Sequence, residues 1–198
     1  NHLIIFKILN ILLKKGADLK TKNKIGSTPF HLAIEKGKRK IINLLLKYGA
    51  DIQEKGKFGF TALHYATKQK NLKILNFLLK KGLDINEKDD YGFTSLHHAS
   101  FDGDTKTAKF LIKKDADCNA VDTYGNTPLH YAAREGRLSQ IEKEKPETSK
   151  IPTLKVETVK LLISKGANIH TKNNKGETSL DLAMHSDHTE IIDFLKNC

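Results

Sequence analysis

Apolar residues fall in paired blocks, a short one and a longer one, and the pair recurs along the chain. Between Asn23 and Lys55, Phe30, Leu32, Ala33 and Ile34 form the short block. Gly37 interrupts, and Ile41, Ile42, Leu44, Leu45 and Leu46 form a second block that ends at Gly49. Apolar residues three and four apart line one side of a helix, so each block predicts a helix, and small Ala33 permits close helix approach. Thr28 suits the N-cap, because its hydroxyl accepts a backbone N–H one turn in. Pro29 suits the first helical position, where its missing N–H costs nothing. His31, at the third position, can bond back toward the turn. Gly49 is placed to end the second helix in the left-handed conformation.

The same phrases return at fixed intervals. Ser27-Thr28-Pro29-Phe30-His31 is followed by Phe60-Thr61-Ala62-Leu63-His64, Phe93-Thr94-Ser95-Leu96-His97, Asn126-Thr127-Pro128-Leu129-His130 and Glu177-Thr178-Ser179-Leu180-Asp181. The first three intervals are 33 residues and the last is 51. The phrases at Gly16, Gly49, Gly82, Asp115 and Gly166 step by the same amounts, so one 18-residue insertion explains both. Self-similarity of this length predicts a stacked array in which each unit contacts mainly its neighbours. The units are 1–22 (partial), 23–55, 56–88, 89–121, 122–172 with an insertion at about 138–155, and 173–198. Residues 2–13 match the second half of a unit, so the chain reads as part of something longer. The last unit has Asp181 in place of histidine and a polar second helix, as a terminal cap requires. Asp115 stands where other units have glycine, which predicts a locally weaker unit.

This turn, Thr-Pro-Leu-His and Gly-Ala-Asp pattern resembles the ankyrin repeat family over essentially the whole chain. The resemblance implies an all-α repeat solenoid of helix–turn–helix units joined by β-hairpin or loop fingers, and a non-catalytic module that binds a partner protein. Partners of such proteins usually lie along a concave face of fingertips and first helices. Carried over by position, that face holds Lys57, Phe58 and Phe60; Asp90, Tyr91 and Phe93; Phe101 and Asp102; Tyr124; and Arg134. The aromatic cluster Phe58, Phe60, Tyr91, Phe93, Phe101 and Tyr124 is the expected anchor, with the charged residues as its rim. If Phe60 and Phe93 are free anchors, their removal abolishes binding and leaves stability almost unchanged. Lysine- and isoleucine-rich arrays of this family resemble those of intracellular bacteria, large DNA viruses and protozoa, which implies action inside a host cell.

Composition narrows the picture. The formal charge of +11 comes from 34 basic residues, of which only Arg39, Arg134 and Arg137 are arginines. Phosphate-gripping surfaces favour the arginine fork, so electrostatic binding of nucleic acid or acidic membrane is the alternative and a protein partner the main reading. Two cysteines, Cys118 and Cys198, form neither a metal spacing nor a disulfide framework, which suits a reducing intracellular compartment. The repeated histidines stand in equivalent positions on units roughly 10 Å apart, too far to share a metal at ~2 Å bonds. No phosphate loop, nucleophile elbow or Cys/His dyad is present. The expectation is a monomer with no cofactor, metal, small-molecule substrate or catalytic residue. The insertion is charged and holds Pro146 and Pro152, which reads as a mobile loop, with Thr148 and Ser149 as modifiable residues. Alternatively, Pro152 opens a lengthened second helix running to Lys165.

Overall fold

Each Thr-led phrase begins a helix, and the structure shows how. In the computed structural model, which describes residues 2–134 and 150–198, the first helices are α2 (Pro29–Glu35), α4 (Ala62–Lys68), α6 (Ser95–Phe101), α8 (Pro128–Ala133) and α10 (Ser179–His185). The second helices are α1 (His2–Lys14), α3 (Arg39–Lys47), α5 (Leu72–Lys80), α7 (Thr105–Ile112), α9 (Lys150–Ser164) and α11 (Thr189–Lys196). No strand occurs among the described residues. The fingers between units are turns, one of which is a single 3-10 turn at Lys57–Gly59.

Every first helix opens with a reciprocal cap. The Thr28, Thr61, Thr94 and Thr127 N–H groups donate to Nδ1 of His31, His64, His97 and His130 at 3.1–3.2 Å. In α10 the Thr178 N–H donates instead to the Asp181 carboxylate at 2.8 Å. Each pair satisfies donors that a helix start otherwise leaves unpaired. After the second helices, Gly49 and Gly82 adopt φ near +90°, and Asp115 takes the same left-handed place at φ +67°. An aspartate tolerates that region less well than glycine.

The chain divides into two units, Asn1–Leu83 and Asp84–Cys198. In the first, α2 packs on α3, α4 on α5, and α2 beside α4. Its core holds Phe30, Ile34, Ile42, Leu45, Leu63, Leu75 and Leu78, all essentially inaccessible. In the second, α6 packs on α7, α8 on α9 and α10 on α11; α8 lies between α6 and α10, and α9 between α7 and α11. Leu96, Leu111, Leu129, Leu162 and Ile191 fill its core. Burying each such side chain contributes about 1.5–3 kcal/mol. Ala33, Ala66, Ala99, Ala132 and Ala183 occupy one repeat position and are buried, which lets first helices approach closely.

A lengthened second helix is present, but Pro152 does not open it: α9 starts at Lys150, two residues earlier, and runs to Ser164. Residues 135–149, with Thr148, Ser149 and most of the insertion, lie outside the described residues. Lys155, assigned to a charged loop by its sequence, is instead buried. Its Nζ donates to the Arg134 carbonyl at 2.6 Å, just past the end of α8.

Candidate interaction surface

Five fingers share one construction. A backbone bond closes each: Asn23 N–H to Ser27 O, Gly56 to Phe60, Asp89 to Phe93, Asp122 to Asn126 and Asn173 to Glu177, all at 2.9–3.0 Å. In four of them the first residue is Asn or Asp, and its Oδ1 accepts two further backbone N–H groups of the same finger. Asn23 takes Ile25 and Ser27, Asp89 takes Tyr91 and Phe93, Asp122 takes Tyr124 and Asn126, and Asn173 takes Lys175 and Glu177. Such side chains mimic a turn of backbone. In the second unit the fingers are also tied together. The Tyr91 carbonyl accepts from Thr123 N–H at 3.0 Å and the Tyr124 carbonyl from Asn174 N–H at 2.9 Å.

The finger at Gly56 departs from this scheme. A Cβ at residue 56 would lie 2.2 Å from the Tyr65 hydroxyl, so that finger has no capping carboxylate or amide. Phe58 there is held at φ +59°, a conformation uncommon for a bulky side chain.

This construction fixes which side chains face water. Residues 25, 58, 91 and 124 share one repeat position, and Ile25, Phe58, Tyr91 and Tyr124 are 54%, 48%, 44% and 57% exposed. Lys57 Nζ lies 4.5 Å from the Phe58 ring centre, and Asp90, Asp102 and Arg134 are exposed. Phe60 and Phe93 differ from the sequence expectation of exposed tips: both are half-buried. Phe60 sits edge-on to Tyr65 at 5.8 Å, and Phe93 lies 4.8 Å from Tyr131 and 5.2 Å from His98. Their position before the capping Thr turns them onto the first helix. Phe101 remains 43% exposed while resting against Tyr131 at 6.1 Å. The second unit thus brings Phe93 and Phe101 to one ring.

Tyr131 and Tyr65 escaped the sequence reading. The available signal was their position: each follows the repeated histidine. The Tyr131 hydroxyl donates to Asp122 and accepts from Asn126 Nδ2 at 3.2 Å. Burial and the Asp122 carboxylate push its ionisation well above the usual range. Tyr65 stacks on His31 at 4.8 Å and shares a hydrogen bond with Ser27 Oγ at 3.2 Å.

The histidines are structural. With Nδ1 accepting from the cap N–H, Nε2 carries the proton. It donates from His31 to Glu54 O at 2.8 Å, from His97 to Asn126 O at 3.1 Å and from His130 to Glu177 O at 3.1 Å. Burial lowers the pKa of all three against the opposing pull of those carbonyls, His97 to about 4. They are neutral at pH 7 and have no free nitrogen for a ligand.

Sequence comparisons match this architecture along its length. A family model described as ankyrin repeats (many copies) matches residues 67–112, 96–143 and 155–195. One described as ankyrin repeats (3 copies) matches 4–89, and a single ankyrin repeat matches 124–174. The chain belongs to the ankyrin repeat family. Ankyrin repeats are generally protein–protein interaction modules, and the family is typically non-catalytic. No curated protein matches the chain. Among the described residues, no helix of this ankyrin array is long and apolar enough to cross a membrane.

Proposed function

We propose that this array is a non-catalytic adaptor surface that holds a partner protein against its fingertips and the exposed sides of its first helices. The observation that carries the reading is the exposed apolar series Ile25, Phe58, Tyr91 and Tyr124 at a single repeat position. Large side chains left half in water on rigidly bonded turns lose little further freedom on binding, and aromatics so placed dominate interface energies. Phe101 adds a ring on the first-helix side, and Lys57, Asp90, Asp102 and Arg134 form a polar rim. Phe60 and Phe93 support this surface from behind.

The test compares a Phe58→Ser/Tyr91→Ser/Tyr124→Ser variant with wild type. Proteins retained by each from a cell lysate are quantified by mass spectrometry, with a second-helix Lys73→Ser variant as control. The fingertip variant is expected to lose a defined partner by about tenfold or more, with a thermal midpoint within about 2 °C of wild type. The control should keep that partner. Equal retention by all three proteins would remove the fingertips from the interface.

A further inference from the structure

We infer that the groove between the 122–126 and 173–177 fingers and helices α8 and α10 receives a carboxylate from an acidic segment of the partner. The inference rests on the protein-binding reading above and names the chemistry that one part of that surface selects. The groove encloses about 320 Å³, and its walls include Tyr124, Tyr131, Arg134, Asn173, Lys175 and Leu182. Most of its polar groups are already engaged. Asn173 Nδ2 donates to Asn126 Oδ1 and to Glu177 Oε2, both at 3.0 Å, and the other Glu177 oxygen lies 3.6 Å from His185 Nδ1. His130 is committed at both nitrogens.

Three groups are left. The Arg134 guanidinium, the Lys175 ammonium and the Tyr124 hydroxyl have no side-chain partner among the described residues. The two carboxylates next to the groove, Glu177 and Asp122, already accept hydrogen bonds from Asn173 and Tyr131, so among the described residues the Arg134 and Lys175 cations are the donors left to complement an incoming carboxylate. A guanidinium presents a planar fork suited to a carboxylate. Lys155, donating to the Arg134 carbonyl, fixes the backbone from which that fork projects. Tyr131 and Leu182 add an apolar wall for a side chain next to the acid.

The test is an amide-resolved NMR titration with two blocked peptides, acetyl-Asp-Leu-amide and its neutral isostere acetyl-Asn-Leu-amide. The acidic peptide should shift the amides of Tyr124, Arg134 and Lys175, with the isostere binding about tenfold more weakly or less. Arg134→Ala/Lys175→Ala should abolish the difference, and Lys73→Ser, on a second helix of the other unit, should preserve it. Equal shifts from both peptides, no shifts, or shifts that survive in the double variant would overturn the inference. Tighter competition by inorganic phosphate would reassign the groove to phosphate and overturn it as well. If the acid preference fails while the fingertip variant still releases its partner, only this inference falls.

Discussion

A histidine that accepts from its own helix cap and donates to a carbonyl of a neighbouring turn works in one protonation state only. Adding a second proton to His97 would set an N–H against the Thr94 N–H and charge a buried ring. That is the physical content of its fall from 6.5 to about 4. The unfolded chain therefore binds more protons between these values, so the stabilising effect is complete above about pH 6.5 and is lost as pH falls toward 4. The slope approaches about 1.4 kcal/mol per pH unit for each such group. We predict that urea midpoints fall between pH 7 and pH 4.5, and that His97→Gln, though less stable at pH 7, shows a slope shallower by about one proton. An unchanged slope would remove His97 as a contributor. The cap role was legible in the sequence, because Thr and His stand three apart at the start of four of the first helices. The onward bond from His97 to Asn126 was not: it depends on how one finger lies over the next helix. Asp181 accepts in the cap as the histidines do, but its carboxylate has no N–H to donate onward.

At the scale of an element, the finger opened by Gly56 shows how one absent side chain propagates. Gly56 has φ −84°, so its backbone does not require glycine. What requires it is the Tyr65 hydroxyl, occupying the space of a Cβ. The corresponding pair in the next unit but one is Asp122 and Tyr131, where the phenol donates to the carboxylate. Gly56→Ala should therefore destabilise by about 1–3 kcal/mol through crowding. Gly56→Asp should recover most of that loss by recreating the phenol–carboxylate bond and the missing turn cap. Denaturant midpoints decide this, and an Asp variant no better than Ala would refute the account. Sequence periodicity revealed the elements and their order; what it missed arises from packing. Phe60 and Phe93 looked like free tips because tip residues are read by position alone, and their rings fold back onto Tyr65 and Tyr131. Lys155 looked like loop charge, yet α9 carries it inward to the carbonyl beyond α8. Of the rings expected on the finger and first-helix face, Phe58, Tyr91, Phe101 and Tyr124 are exposed.

For the whole molecule, the dominant long-range property is the formal charge of +11, carried almost entirely by lysines. Exposed ion pairs do little to offset it; those of Lys22 with Glu54 and Lys160 with Glu157 are of the surface kind, which stabilise by less than about 1 kcal/mol. Self-repulsion of this sort weakens the folded state and attracts acidic partners at a distance. Salt acts on both effects in opposite directions. Raising monovalent salt from about 0.02 M to about 0.5 M shortens the screening length from roughly 20 Å to roughly 4 Å. We predict that the thermal midpoint rises over this range as lysine repulsion is screened. Partner association should slow while the complex persists, because the apolar contacts at Phe58, Tyr91 and Tyr124 do not depend on ionic strength. A nucleic-acid or membrane ligand held by lysines alone would behave differently, losing affinity by orders of magnitude through counterion release. Measuring association and dissociation rates across the salt series separates these cases. A dissociation rate that climbs steeply with salt would place the binding energy in the lysines and take it away from the fingertip rings.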